Sequence, residues 1–326
     1  MIDRLQHVFA LSEKGARDFV RAVLWCFVCN ISLMLPVGVI MATIQYLLNV
    51  LENGENTMDR WWVYTGMAIL VLAVLFILHY FQYAALYLAT YQESASRRVS
   101  LAETLRKLPL SFFGNRDLSD LTATMIADCS SLDQMFSHYI PQLFASIFST
   151  LFIGICMFCF DWRMAAAALW VLPVAVLLTA GSKKLQDTFG TKNILAKRAV
   201  ADNIQECLEN IRDIKACSRQ EAYLKGLDER LEAAERCAIH SELATGVFVC
   251  SAQAFLRIGL ATTVLTGVGL MAKGELSFLY FLGFLFAAAR LYDPLGLVLQ
   301  NIAATFSAKL NINRMRAILE QPVQTG

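Results

Sequence analysis

Six long apolar stretches dominate the chain: Val20–Leu48, Trp61–Ala89, Ile140–Phe160, Met164–Gly181, Gly246–Met271 and Leu276–Leu291. An α-helix rises about 1.5 Å per residue, so about 20 residues cross a hydrocarbon core about 30 Å thick. Five stretches reach or approach that length. The sixth is interrupted by Arg290 and Asp293 but continues past Pro294 through Leu295–Leu299. The sequence therefore predicts an all-α, polytopic membrane protein with six transmembrane helices.

Composition agrees. The chain is 57% hydrophobic and 17% charged, with a mean hydropathy of +0.50, and a soluble domain of this size would need a larger polar coat. A net charge of +1 leaves no basic excess to neutralise phosphates, which argues against a nucleic-acid partner. With the N-terminus placed inside, the inner segments carry Lys14, Arg17, Arg21, Arg97, Arg98, Arg106, Lys107, Arg116, Lys309, Arg314 and Arg316. The outer gaps carry Arg60, Arg163 and Lys273. That asymmetry predicts cytoplasmic termini, and we expect a bacterial inner (plasma) membrane. The first stretch is too long for a signal-peptide core and no small-x-small cleavage site comes after it. Cys26-x-x-Cys29 and Cys156-x-x-Cys159 have redox or metal spacing, but neither has a second pair or a spaced histidine, so they are expected to be packing residues.

The outer gaps are short, and Trp61-Trp62 sit where an interfacial aromatic belt belongs. The inner connections are long: about 50 residues between Tyr91 and Tyr139, and about 60 between Ser182 and Thr245. Both are rich in helix formers. In the second, Ala196, Ala199, Val200, Ile204, Leu208, Ile211 and Ile214 recur at intervals of three and four. They predict two long cytoplasmic helical hairpins whose tips stand about 35 Å beyond the membrane. Residues 1–19 predict an amphipathic elbow helix, with Leu5, Val8, Phe9 and Leu11 on one face and Ser12 capping a second helix.

Each hairpin tip has distinctive chemistry. The first holds Phe112, Phe113, Arg116, Asp117, Leu118, Asp120 and Leu121, with Pro109 and Gly114-Asn115 breaking the helix. The second holds Glu206, Leu208, Ile211, Ile214 and Lys215, its apolar residues placed to dock while Glu209, Arg212 and Asp213 ring the contact.

Six spans, short outer loops and these two long inner segments resemble the transmembrane domain of an ABC transporter with the exporter-type fold. Phe-Phe-x-x-Arg-Asp-Leu-x-Asp-Leu at 112–121 resembles that family's first coupling region, and Glu206 to Ala216 resembles its second. Pro294 onward to Leu319-Glu320-Gln321-Pro322 resembles the last span entering a linker, so residues 20–300 are expected to form the membrane domain and 301–326 the linker. No Gly-x-x-x-x-Gly-Lys-[Ser/Thr] occurs in the sequence. This chain alone is therefore expected neither to bind nor to hydrolyse ATP. The linker-like ending leads us to expect a nucleotide-binding domain further along a longer polypeptide, rather than on a separate chain. The resemblance implies ATP and Mg on that domain, a second transmembrane subunit (identical or not), nucleotide-binding domains as partners, and alternating access for a small-molecule, lipid or peptide substrate. It also implies that residues 206–216 reach the opposite subunit's nucleotide domain. Replacing Asp117 or Asp120, or placing proline at Ile211, is expected to uncouple hydrolysis from transport.

Charged groups within a span cost about 2.5–3.5 kcal/mol to insert and usually face a cavity or a partner. Arg257, with Gln253 one turn earlier on the same face, is the sharpest candidate for the substrate path. Arg290 is a second, with an i,i+3 pair to Asp293 as the plainer alternative. Asn30, Gln45, His79 and Gln82 are further candidates, for which hydrogen bonding between helices is the expected role. Phe278, Tyr280, Phe281, Phe284 and Phe286 suit either an apolar cavity wall or lipid.

Export is favoured, but the first tip also resembles a branch of the same fold associated with iron–siderophore uptake, and direction is not encoded in these residues. A gradient-driven secondary transporter is a more remote alternative, because its inner loops are usually short and its spans carry acidic groups. No catalytic or metal-binding constellation is evident.

Overall fold

The computed structural model describes Gln6, Phe9 and residues 11–53, 61–114, 121–122 and 124–321. Leu5 and Val8 of the expected elbow, and Arg116, Asp117, Leu118 and Asp120 of the first tip, lie outside the described residues. Among the described residues every regular element is helical.

Ser12 opens the first long helix. Its backbone is extended and its hydroxyl oxygen accepts from the Gly15 N–H at 2.9 Å, satisfying one of the free amides of a helix start. Helix α1 (Glu13–Ser32) ends in a turn at Leu33–Met34, and α2 (Leu35–Asn53) resumes. The unbroken span expected over Val20–Leu48 is thus interrupted. Pro36 explains it: proline has no N–H for the Ser32 carbonyl, yet is tolerated in the first turn of a new helix. Helix α3 (Trp61–Lys107) runs 47 residues, about 70 Å at the α-helical rise, with Arg106 and Lys107 complementing the dipole at its end. Pro109 precedes the short α4 (Leu110–Gly114).

Two π-helical turns, Thr124–Asp128 and Met135–Tyr139, flank α5 (Cys129–Gln134) and lead into α6 (Ile140–Phe160), which carries Pro141 in its first turn. Asp161 then accepts from the Arg163 N–H at 2.8 Å and starts α7 (Trp162–Leu169). A turn at Trp170 separates α7 from α8 (Val171–Glu209), so the fourth apolar stretch is also broken. Pro173 in the first turn of α8 again withholds an N–H. Helices α9 (Ile211–Ala216), α10 (Gln220–Ala272) and α11 (Phe278–Leu319) complete the order, and Pro294 lies inside α11. Among the described residues six helical segments are long and apolar enough to cross a membrane, one for each apolar stretch.

The chain forms two compact units, residues 1–169 with 259–326, and residues 170–258. In the first, α1 packs against α3 and α6. Trp25 stacks on Phe81 at 5.2 Å, and Phe27 meets Phe152 edge-on. The main core lies at the end away from the short connections. Leu101 of α3, Leu132, Met135 and Ile140 of the third helical segment, and Met315 and Ile318 of α11 close around Leu11 and Phe19. Along the apolar stretch of α3, by contrast, Leu72 and Phe76 are exposed, the placement hydrocarbon allows and water penalises.

The second unit is a helical hairpin. Tyr223 Oη donates to the Asn203 carbonyl, Arg230 reaches the Ala199 carbonyl at 3.5 Å, and Phe189 stacks on His240. These pairings run in antiparallel register along α8 and α10.

Candidate functional site

At the end of that hairpin, α8 stops at Glu209 because Asn210 folds back. Its N–H and its side-chain amide both donate to the Glu206 carbonyl at 3.0 Å. The six-residue α9 comes next, held by Ile214 N–H to Asn210 C=O at 3.0 Å and Cys217 N–H to Asp213 C=O at 2.9 Å. Ser218 adopts φ 54°, the left-handed conformation that reverses the chain, and the Arg219 N–H closes onto the Ile214 carbonyl at 3.0 Å. The segment expected to be one tip is therefore a separate short helix between two long arms.

Its surface is what a docking element requires. Leu208 is 68% exposed and Ile211 36%, Glu206 and Lys215 are exposed, and Ile214 is half-buried. Ile211 is the first residue of α9, where a helix asks for no intrahelical donor and proline is tolerated. Ile214 is the residue whose N–H is used, so proline at 214, not 211, breaks this element.

The first tip is anchored differently. Phe112 packs against the main core while Leu121 is buried within it, and Phe113 and Leu110 are exposed. Phe112 and Phe113 meet edge-on at 5.5 Å.

A network of ion pairs holds the helical extensions beneath this tip, and the sequence did not single it out. Asp133 faces Arg97 at 3.7 Å and Arg98 at 2.8 Å, and accepts from Ser94 Oγ at 2.6 Å. Arg97 lies over the Phe136 ring, and Asp128 pairs with Arg314 of α11 at 3.4 Å. Glu93 ties α3 to α1, accepting from the Ser12 N–H at 2.8 Å and Ser12 Oγ at 2.6 Å. The basic residues were legible only as a charge bias. Their pairing depends on which faces meet, and Asp133 is 35 residues from Arg98 in sequence.

The polar residues of the spans divide. Asn30 is buried; its amide donates to Ser149 Oγ at 3.3 Å and its carbonyl oxygen accepts from Gln142 at 3.1 Å. Gln82 donates to Cys26 Sγ at 3.3 Å. His79 turns its Nδ1 to the Leu75 carbonyl of its own helix, and Arg290 lies 3.7 Å from Asp293. Arg257 is exposed and Gln253 half-buried, both in the second unit. Of the aromatic set, Phe281 and Phe284 are buried while Phe278 and Tyr280 are exposed. Cys26 and Cys29 are buried, whereas Cys156 and Cys159 are exposed.

Another constellation gathers where α7 breaks. Two carbonyls just before the turn at Trp170 accept side-chain donors from neighbouring helices: Ala167 C=O from Thr262 Oγ1 at 2.7 Å and Ala168 C=O from Tyr292 Oη at 2.5 Å. Beyond them, Arg163 pairs with Glu275, joining the two adjoining short connections.

Six apolar helices with long helical extensions define a multi-pass integral membrane protein. The profile of the ABC transporter transmembrane region matches residues 23–295, and the chain belongs to that family. Among its relatives, a Streptococcus pneumoniae protein that carries the name of an ABC transporter ATP-binding protein is 22% identical over 67% of this chain and 37% of its own. The alpha-factor-transporting ATPase of Candida albicans is 24% identical over 53% of this chain and 14% of its own. An ATP-dependent lipid A-core flippase of Desulfotalea psychrophila is 22% identical over 41% of this chain and 24% of its own. The chain thus spans little more than a third, or less, of each of these relatives.

Proposed function

We propose that this chain forms half of the translocation pathway of an ATP-driven exporter. It would work by alternating access with a second transmembrane subunit and with nucleotide-binding domains that carry ATP and Mg. The observation that carries this is the short exposed helix Ile211–Ala216, set at the end of two long arms, in a chain of the ABC transporter transmembrane family. Continuous helices transmit displacement where loops would absorb it. Leu208 and Ile211 offer an apolar contact ringed by Glu206, Arg212 and Lys215, a pattern suited to seating in a cytosolic partner's groove. Relatives named for transporting alpha-factor and for flipping lipid A-core support export. On this reading the long extensions lie in the cytoplasm and, for a bacterium, the membrane is the inner one.

The test is coupling in the full-length transporter reconstituted in proteoliposomes. Ile214→Pro should retain ATP hydrolysis while losing most substrate flux, and Ile211→Pro should lose much less. Flux that persists with Ile214→Pro overturns the assignment of α9 as the coupling contact.

A further inference from the structure

We propose that the first compact unit holds a binding site for one acyl chain of a phospholipid, in the half of the bundle nearest the short connections. A cavity of about 350 Å³ lies there, walled by four helices: α1 and α2 on either side of the Leu33–Met34 break, α6, and α11. This volume is within the range of about 300–1,000 Å³ that ligand pockets occupy. Its floor is Met157 and Phe284, both buried, and its rim is Phe152, Phe160 and Tyr280, all exposed.

Three features select the occupant. No charged side chain lines the cavity, and an apolar cavity is a poor host for water, which needs two to four polar partners. Its depth fits within one leaflet: from Phe160 back to Phe152 along α6, and from Tyr280 to Ala287 along α11, is about 10–12 Å at the helical rise, against about 15 Å for half a hydrocarbon core. Its walls can adapt: Met34, Met41 and Met157 are unbranched and polarisable, and Gly283 leaves one wall low, with Met41 Cε 3.4 Å from where a Cβ would stand. A hydrocarbon chain entering sideways past Phe152 from the bilayer satisfies all three. The larger apolar groove between α1 and α6, about 590 Å³, has two helical walls instead of four and no methionine or glycine lining it. The proposal goes beyond the exporter assignment and needs neither ATP nor a direction of transport.

The test uses the chain in nanodiscs of a phospholipid bearing a diazirine near the end of one acyl chain, irradiated and mapped by mass spectrometry. Adducts are expected on the peptides holding Met34, Met41 and Met157, in several-fold higher yield than at Leu72 and Phe76 on the exposed face of α3. Gly283→Phe, filling the cavity from α11, should lower those yields several-fold while leaving Leu72 labelling unchanged, and Met41→Phe should do the same from the opposite wall. Labelling equal to that at Leu72, or unaffected by both variants, overturns the site. So does a disulfide-linked dimer through the rim residue Cys156 after mild oxidation, which would show a second copy of the chain covering it.

Discussion

Asp133 is the residue on which the extensions beneath the first tip most depend. It is nearly buried, as is Arg97, and it serves two guanidinium groups and one hydroxyl. Removing Asp133 leaves the buried Arg97 with Glu93 as the carboxylate that still favours its charge, so the loss falls below that of a buried pair broken outright, about 3–5 kcal/mol. Asp133→Asn, which keeps the shape, should therefore lower the thermal unfolding midpoint of the detergent-solubilised protein. Arg98→Gln, at a half-exposed site, should lower it less. Tyr292 poses a cleaner problem, since its buried hydroxyl donates to the Ala168 carbonyl of a neighbouring helix. Tyr292→Phe should cost about 1 kcal/mol, read from the same midpoint, because a buried hydrogen bond between helices is lost.

At the scale of elements, the number of spans, their order and the helical nature of the long connecting segments were legible, because each is set by length and periodicity along a single helix. Breaks were not. Val20–Leu48 and Met164–Gly181 read as uniform apolar runs, and Pro36 and Pro173 divide them by withholding one N–H each, while Pro294 leaves α11 continuous. Proline's effect depends on what surrounds the break, and the groups that meet the backbone there, Thr262 at the Ala167 carbonyl and Tyr292 at the Ala168 carbonyl, come from distant helices, which is a tertiary fact. The second tip shows the same limit. Asn210 and Ser218, which set residues 211–216 apart as a separate helix, gave no signal beyond ordinary polar residues. Hence the shift of the proline experiment from 211 to 214: an interior proline costs a helix about 3 kcal/mol, and α9 has too few bonds to absorb that, while the arms on either side keep theirs.

For the molecule as a whole, the polar groups of the spans separate into those that join helices and those that do not. Asn30 and Gln82 are committed to neighbours, so pairing between helices accounts for them. Arg257 is exposed, and we propose that it lines the path in the assembled transporter. Arg257→Ala in the full-length protein should diminish stimulation of ATP hydrolysis by anionic substrates while basal hydrolysis is retained. Equal stimulation of variant and parent would remove Arg257 from the path. Neither that residue's surroundings nor the ion pairs of Asp133 could be read from one chain's pattern, since both depend on which surfaces meet.

The length of α3 has an optical consequence. A helix of 47 residues without an internal break has no joint at which to dissipate a tilt imposed near Lys107, so its opposite end must swing with it. That end carries Trp61 and Trp62, their rings 3.7 Å apart. With Trp25, Trp162 and Trp170 replaced by phenylalanine, the emission of this pair should shift when the Lys107 end, about 70 Å away, is displaced.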